Sequence, residues 1–403
     1  MPASLTTVTA ITKELYEGTL QKQLNDDIKT LKRVERTSEG VTSNVGGKYA
    51  VFPIHTRRNS GVGARREREL LPTAGQQGTA AAQVGLKYQY GRIELSGQVI
   101  ELVKTNAQAF MSALDLEVNG IKNDLRKDGN RQVYGNGSGA IGTVTTLSAG
   151  TNSPEVGWTG WFQLGEKVDV IDGTTLGAAT PTVVVSNREV TGIDKAASTV
   201  TLDGAPFAVA VGDIIVRTGN VNREWIGFDK IIDDTGSVYN IDPSVEPVWK
   251  SVVNDNGGAN RAISETLMTT MVDDISANGG GVPTVVFQSA GVRRSYSNLL
   301  MGLRRFTNTQ EFTGGFSGLA FTTDEGDIPL VSDTDCPPNT QYYVNEKEIK
   351  LYREGDWSWM NRDGSMWQRV VGYDAYEATM FQYSEIGTHR RNAHGVLKDI
   401  TEA

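Results

Sequence analysis

Cysteine occurs once in the 403 residues, at Cys336. That excludes an intrachain disulfide framework and suits a reducing compartment. Proline is scarce, 12 residues against 45 glycines. Many glycines with few prolines favour turn-rich β structure and extended arms over a proline-rich disordered chain. No apolar run of about 18 residues occurs, so no membrane span is expected. Met1 to Leu5 has no basic region followed by an apolar core, so it does not read as a secretory signal. Positive charge is in deficit, with 39 Lys and Arg against 48 Asp and Glu and a net charge of −9. A protein held on nucleic acid by phosphate contacts would show the reverse balance.

Histidine is nearly absent too: His55, His389 and His394. The last two stand five apart beside Arg390 and Arg391, with no cysteine or acidic partner to complete a metal set, and structural roles are favoured. Cys336 precedes Pro337-Pro338 without a local histidine signature, so a nucleophilic role is not expected. Acidic pairs such as Asp26-Asp27, Asp233-Asp234 and Asp273-Asp274 are ordinary on an acidic surface. The expectation is a protein that is not an enzyme, with no catalytic residues, no cofactor and no metal.

What is present begins with Gly46 to Gly91. An apolar strand, Tyr49 to Ile54, turns basic through Arg57, Arg58, Arg65, Arg66 and Arg68, broken by Glu67 and Glu69. A small-residue run, Thr73 to Ala82, follows, and a second strand is expected to return through Leu86 to Tyr90. A two-stranded excursion of this length is marginal alone in water and needs another surface. Five arginines against two glutamates leave the tip at +3. Base-stacking aromatics are missing among them, so a charge-complementary protein contact is the better reading.

Before the excursion, Leu20, Leu24, Ile28 and Leu31 fall at helical spacing, an amphipathic helix docked on its own domain or on a neighbour. After it, Gly91 to Val103 is a β run. Asn106 caps a long helix whose face carries Phe110, Leu114, Val118, Ile121 and Leu125, ending at Asp128-Gly129-Asn130. Tyr134-Gly135-Asn136-Gly137-Ser138-Gly139 then reads as a turn. A phosphate loop would need a strand before it and a Lys-Ser/Thr ending.

From Thr143 to Asn222 short β runs alternate with glycines, suggesting a small antiparallel barrel or sandwich. Trp158, Trp161 and Phe162 stand where it begins: a sugar platform is conceivable, core or hinge packing is favoured. Later come a helix on Ile263, Leu267, Met271 and Ile275, a buried strand Thr284 to Phe287, and a helix from Gly291 to Leu303. An aromatic, glycine-rich loop from Phe306 to Ala320, strands at Ile328 to Asp333 and Gln341 to Val344, a β run from Trp367 to Phe381 and a basic tail at His389-Arg390-Arg391 complete the chain.

The order of parts resembles the major capsid proteins of tailed bacteriophages with the Hong Kong ninety-seven-type fold. The parts that carry it are the arm, the basic β excursion, the strand pair with its long helix, and Tyr134 to Gly139. Gly279 to Thr284 leading into a strand, Ile328-Pro329-Leu330-Val331 before an acidic turn, and the Trp/Tyr-rich C-terminal β run complete the set. The resemblance covers nearly the whole chain except Thr143 to Asn222.

It implies an α+β fold: N-terminal arm 1–45, extended β-hairpin loop 46–91, and a peripheral domain with its long spine helix at 92–142. An inserted small all-β domain at 143–222, a return to the peripheral domain at 223–262, an axial domain at 263–345 and C-terminal peripheral strands at 346–403 follow. It further implies self-assembly through hexamers and pentamers into an icosahedral shell around double-stranded DNA, bound without sequence specificity. Arg57, Arg58, Arg65, Arg66 and Arg68 would then make the inter-subunit contact of the loop. Implied partners are other copies of the chain, a portal protein, a separate scaffolding protein and a decoration protein. The implied location is the virion, after synthesis in the host bacterial cytoplasm. Some relatives weld subunits through a lysine in the loop; here none lies between Lys48 and Lys87, so no such link is expected. The loop is reached by Gly46, so any scaffolding segment would be a separate protein or already removed. An encapsulin-like compartment and a glycan-binding adhesive protein are the alternatives.

Overall fold

The fold comes from a computed structural model that describes residues 28–37, 49–98, 107–279, 281–303, 320–323, 326–361 and 364–403. Most of the amphipathic N-terminal stretch and the loop at 304–319 lie outside the described residues, as does Asn106. The chain enters through a one-turn helix, α1 (Thr30–Arg33), and a short strand, β1 (Glu35–Thr37). Ile28, Leu31 and Val34 are buried in the largest core of this same chain. The described end of the arm is therefore docked on its own domain.

Strands β2 (Tyr49–Arg57) and β3 (Gly78–Gly85) form an antiparallel hairpin registered from Tyr49 opposite Gly85 to Arg57 opposite Gly78. This corrects the expected position of the return strand. The small-residue run is itself the returning strand at its C-terminal end. Lys87–Ser96 is a separate strand, β4, in another sheet. The physical reason is close approach: Ala50, Ala82 and Val84 are fully buried where the hairpin root lies against the core. Small side chains on one face of the strand permit that contact.

Helix α2 (Ala107–Val133) is about 40 Å long at 1.5 Å per residue. It runs five residues past Asp128, where the sequence pattern signals a stop. Gly129 is inside the helix because its bare Cα faces packed neighbours. A Cβ there would stand 3.2 Å from Leu31 and from the Trp225 ring. Asn130 is likewise spent on packing, accepting from Leu31 N–H at 3.0 Å, and does not cap.

The all-β module follows: β5 (Ala140–Thr143), β6 (Ser148–Thr151), β7 (Lys167–Ile171), β8 (Val183–Asp194), β9 (Thr199–Leu202), β10 (Phe207–Val209) and β11 (Ile214–Arg217). Five strands pair antiparallel in the order β5-β11-β7-β8-β9, and β6 pairs with β10. Its own core holds Val168, Val170, Val190, Val200, Leu202 and Ile215.

The chain then supplies α3 (Phe228–Ile231), β12 (Val252–Asn254), α4 (Glu265–Gly279), β13 (Val285–Gln288), α5 (Ala290–Leu303), β14 (Ala320–Thr323), β15 (Gly326–Ser332) and β16 (Gln341–Val344). It ends in β17 (Ile349–Arg353), β18 (Ser358–Trp359), β19 (Gln368–Arg369), β20 (Ala375–Thr388) and β21 (Gly395–Leu397). Two mixed sheets organise these parts. One runs β12-β21-β16-β13-β15-β14, with Met268, Met271 and Ile275 of α4 and Val292 and Tyr296 of α5 in its core. The other is built on β20, flanked by β4 on one edge and by β17, β18 and β19 on the other.

Two C-terminal expectations are corrected here. The long strand is Ala375–Thr388, not Trp367 to Phe381, because β4 pairs along it from Ser96 to Lys87. The basic stretch at His389 to Arg391 is no tail: Arg391 and His394 are fully buried. Beyond them β21 inserts between β12 and β16.

Candidate assembly interface

The hairpin is rooted by its own sequence. Phe52 stacks on Tyr352 at 6.0 Å and meets His389 edge-on at 4.5 Å. Gln83 N–H donates to Tyr239 C=O at 3.0 Å, and Asn240 Nδ2 donates to Gln83 Oε1 at 2.9 Å. Arg57 is the last residue of β2 and pairs with Glu246 of the same chain at 2.8 Å. Of the five arginines, Arg57 therefore belongs to the shaft.

The other four lie on the connecting tip, which is folded by local bonds. Asn59 is its organiser: Oδ1 accepts from Gly61 N–H at 2.6 Å and Nδ2 donates to Gly75 C=O at 3.0 Å, closing the tip's neck. A Cβ on Gly75 would stand 2.5 Å from Asn59 Oδ1, so the crossing needs glycine there. Arg65 is structural, donating from Nε to Leu70 C=O at 2.9 Å. Glu69 accepts from Arg66 N–H at 2.9 Å, and Arg68 takes the left-handed conformation at φ 66°.

The guanidinium groups of Arg58, Arg66 and Arg68 have no ion-pair partner among the described residues. Beside them stand Val62, Leu70 and Leu71, exposed to 86%, 92% and 82%. Sequence reasoning found the arginines and passed over the leucines, because Leu70-Leu71 is too short a run to signal a surface.

A second set of residues joins the parts behind the hairpin. Asp333 accepts from Thr30 N–H at 3.1 Å, from Thr30 Oγ1 at 2.7 Å and from Asn130 Nδ2. Asp335 accepts from Asn130 Nδ2 at 2.6 Å and pairs with Lys127 at 2.9 Å, while its carbonyl takes Trp161 Nε1–H at 3.0 Å. One acidic turn thus ties together the arm, the long helix and the β module. Burial raises the Asp335 carboxyl, against the pull of Asn130 and Lys127. Arg131 pairs with Asp128 and Glu224, and Arg217 of the module pairs with Asp128 and Glu166. Burial alone would raise Asp128, but Arg131 and Arg217 hold it well below the usual carboxylate range. Trp161 lies under the Arg131 guanidinium at 5.8 Å and meets Trp158 edge-on, which is hinge packing between module and helix.

The candidate chemical groups are dispersed. His55 bonds Gln77 on the hairpin, His389 bonds Tyr352, and His394 is enclosed between Asn345 N–H and Thr388. Burial pushes the Cys336 thiol well above its ordinary value, so it holds its proton and is a poor nucleophile. Among the described residues no three His, Cys, Asp or Glu side chains converge as metal ligands.

Comparison with known proteins places this architecture. The family model described as SU10 major capsid protein matches residues 170–401, more than half of the chain, leaving the hairpin and long helix outside the match. The capsid asymmetric unit of cyanophage A-1(L) is similar over 98% of this chain and 99% of that one, with 14% identity and a TM-score of 0.57. The capsid of a native GTA particle is similar over 97% and 96%, with 7% identity and a TM-score of 0.50. An encapsulin complex from Synechococcus elongatus PCC 7942 matches over 98% and 95% at 7% identity and a TM-score of 0.47, too low to bear on either reading. No curated protein matches the sequence.

Proposed function

Because the chain belongs to the SU10 major capsid protein family, and is a subunit of a phage capsid shell, we propose that it closes an icosahedral shell through hexamers and pentamers and that the β2–β3 hairpin clasps neighbouring copies. The shell encloses double-stranded DNA, and the net charge of −9 on each chain keeps the wall from adhering to the contents. A portal protein, a scaffolding protein and a decoration protein would be its further partners in the virion, after synthesis in the host bacterial cytoplasm.

The observation that carries the clasp is the tip. Its shaft is tied to its own domain, while Val62, Leu70 and Leu71 face water beside three arginines. Covering a leucine contributes about 1.5–3 kcal/mol relative to leaving it exposed. Such a contact repeated in every copy adds buried area beyond an ordinary patch. With no lysine between Lys48 and Lys87, the hold of the tip is by packing and charge, without a covalent bond from a tip lysine.

The test is charge reversal at Arg58, Arg66 and Arg68 together. Arg65 is spared because it folds the tip. The triple Arg→Glu variant should keep its circular dichroism spectrum and sediment as subunits instead of shells. Shells formed at the normal concentration by this variant would contradict the clasp.

A further inference from the structure

Glu385 of β20 lies where the hairpin joins its domain, and it is 1% exposed. Oε1 accepts from Ile226 N–H at 2.7 Å and from Ile386 N–H at 3.0 Å. Oε2 is equally enclosed and meets no hydrogen-bond donor among the described residues. An enclosed carboxylate with one bare oxygen is costly, and the neutral acid costs far less.

The residues around this carboxyl are the ones that root the hairpin. The register sets Glu385 opposite Tyr352 of β17, whose ring stacks on Phe52 of β2. Gly387 is two residues on, on the same face of β20. A Cβ there would stand 2.5 Å from Tyr352 and 3.1 Å from Val84 of β3, so the hairpin packs directly on this strand. Tyr239 donates its hydroxyl to Ile386 C=O at 2.7 Å, and its own carbonyl takes Gln83 N–H of β3 at 3.0 Å. Lys87, the first residue of β4, places its ammonium on Asn222 C=O at 2.9 Å. The ionisable groups facing Glu385 are therefore Lys87 from β4, Tyr352 from β17 and Tyr239 from the segment after α3. His389 stands on the Tyr352 hydroxyl, and Arg391 acts on Tyr239 from behind.

We propose that Glu385 is a proton-controlled latch: with its proton on, the hairpin root stays closed on β20, and loss of the proton opens the root and frees the hairpin to swing. The boundary that gives way follows from the topology. Strand β20 is laddered to β4 and β17, whereas among the described residues β2 and β3 pair only with each other. Water therefore reaches the carboxylate most cheaply by lifting the hairpin root, and Lys87 can leave the Asn222 carbonyl to meet the new charge. Burial pushes the carboxyl up to about 8 from an ordinary 4.5, against the pull of Ile226 N–H, Lys87 and Ile386 N–H. Over that window the closed root holds a proton that the opened root releases. Opening becomes about tenfold more frequent per pH unit up to about 8 and is level beyond. The latch is a property of the single subunit and stands whether or not the tip clasps a neighbour.

The experiment is hydrogen–deuterium exchange on the unassembled full-length subunit from pH 5.5 to pH 9, read as protection factors. The reporter is Gln83 N–H, which ties β3 to Tyr239. Its protection should fall about tenfold per pH unit and level off near pH 8, while Lys167–Ile171 of the β module, which can open without uncovering Glu385, stays flat. In Glu385→Gln the protection of Gln83 should be flat throughout. A flat wild-type profile, a fall that persists in Glu385→Gln, or an equal fall in Lys167–Ile171, which would mean unfolding of the whole chain, would each overturn the latch. If Glu385→Gln does not fold, Lys87→Met decides. Without the ammonium the carboxyl keeps its proton longer, so the fall should continue to a higher pH; an unshifted end point would overturn the proposal.

Discussion

Arg391 shows how a charged residue can be internal without a carboxylate beside it. Its guanidinium donates to the carbonyl oxygens of Lys230, Ile231, Thr235, Gly236 and Trp249, so it is solvated by backbone dipoles. Burial lowers its pKa, opposed by Asp233. In the sequence it stands in a His-Arg-Arg run that reads as a basic surface tail, since carbonyls that converge from 140 or more residues away leave no local trace. Glu385 is the acidic counterpart. Oε1 accepts from Ile226 N–H at 2.7 Å and Ile386 N–H at 3.0 Å, and burial pushes the carboxyl up to about 8 from an ordinary 4.5. Over that window the folded chain holds a proton that the unfolded chain has released. Stability is therefore highest below the unfolded value, falls as pH rises toward 8, and is flat beyond. Glu385→Gln should remove that fall and stabilise the unassembled subunit above pH 8 by on the order of a few kcal/mol. Thermal melts of both proteins from pH 5 to pH 9 check this; parallel curves would contradict it.

At the scale of elements, most of the local pattern was legible. Strands at Lys167–Ile171, Thr199–Leu202 and Gln341–Val344 stand where alternation and turn residues put them. The misreadings share one cause: tertiary contact overrode local propensity. Gly129 and Asn130 signal a helix end in isolation, yet Leu31 and Trp225 pack where a side chain would be. Likewise a run of alanines and glycines carries little strand propensity, but a core lying against it makes β3. The true end of α2 is set by Gly227, where a Cβ would stand 2.4 Å from the carbonyl oxygens of Gln132 and Val133. Gly227→Ala should destabilise the subunit by roughly 2–4 kcal/mol, since backbone on both sides must move. Gly120→Ala, inside α2 with nothing within 4 Å, should stabilise it by about 0.5–1 kcal/mol. Denaturant titration of the two variants tests the pair, and equal effects would show that the helix end is not held as described.

At the scale of the whole molecule, the order of parts led to the capsid family, while the closure of the sheets was out of reach. Strand β21 lies between β12 and β16, pairing Val252 with Gly395 and Tyr342 with Val396. Short buried strands of this kind carry no label of their partners, so the last residues looked peripheral. The candidate interface was half legible: five arginines announced the hairpin, but the division of Arg57 to the shaft, Arg65 to the fold of the tip and Arg58, Arg66 and Arg68 to solvent required coordinates. The central claim is that these parts make one brick of a closed shell. Electron microscopy of the purified full-length chain tests it most directly. The account predicts hollow particles of uniform diameter with icosahedral outline; a dispersed, folded monomer at every concentration would contradict it.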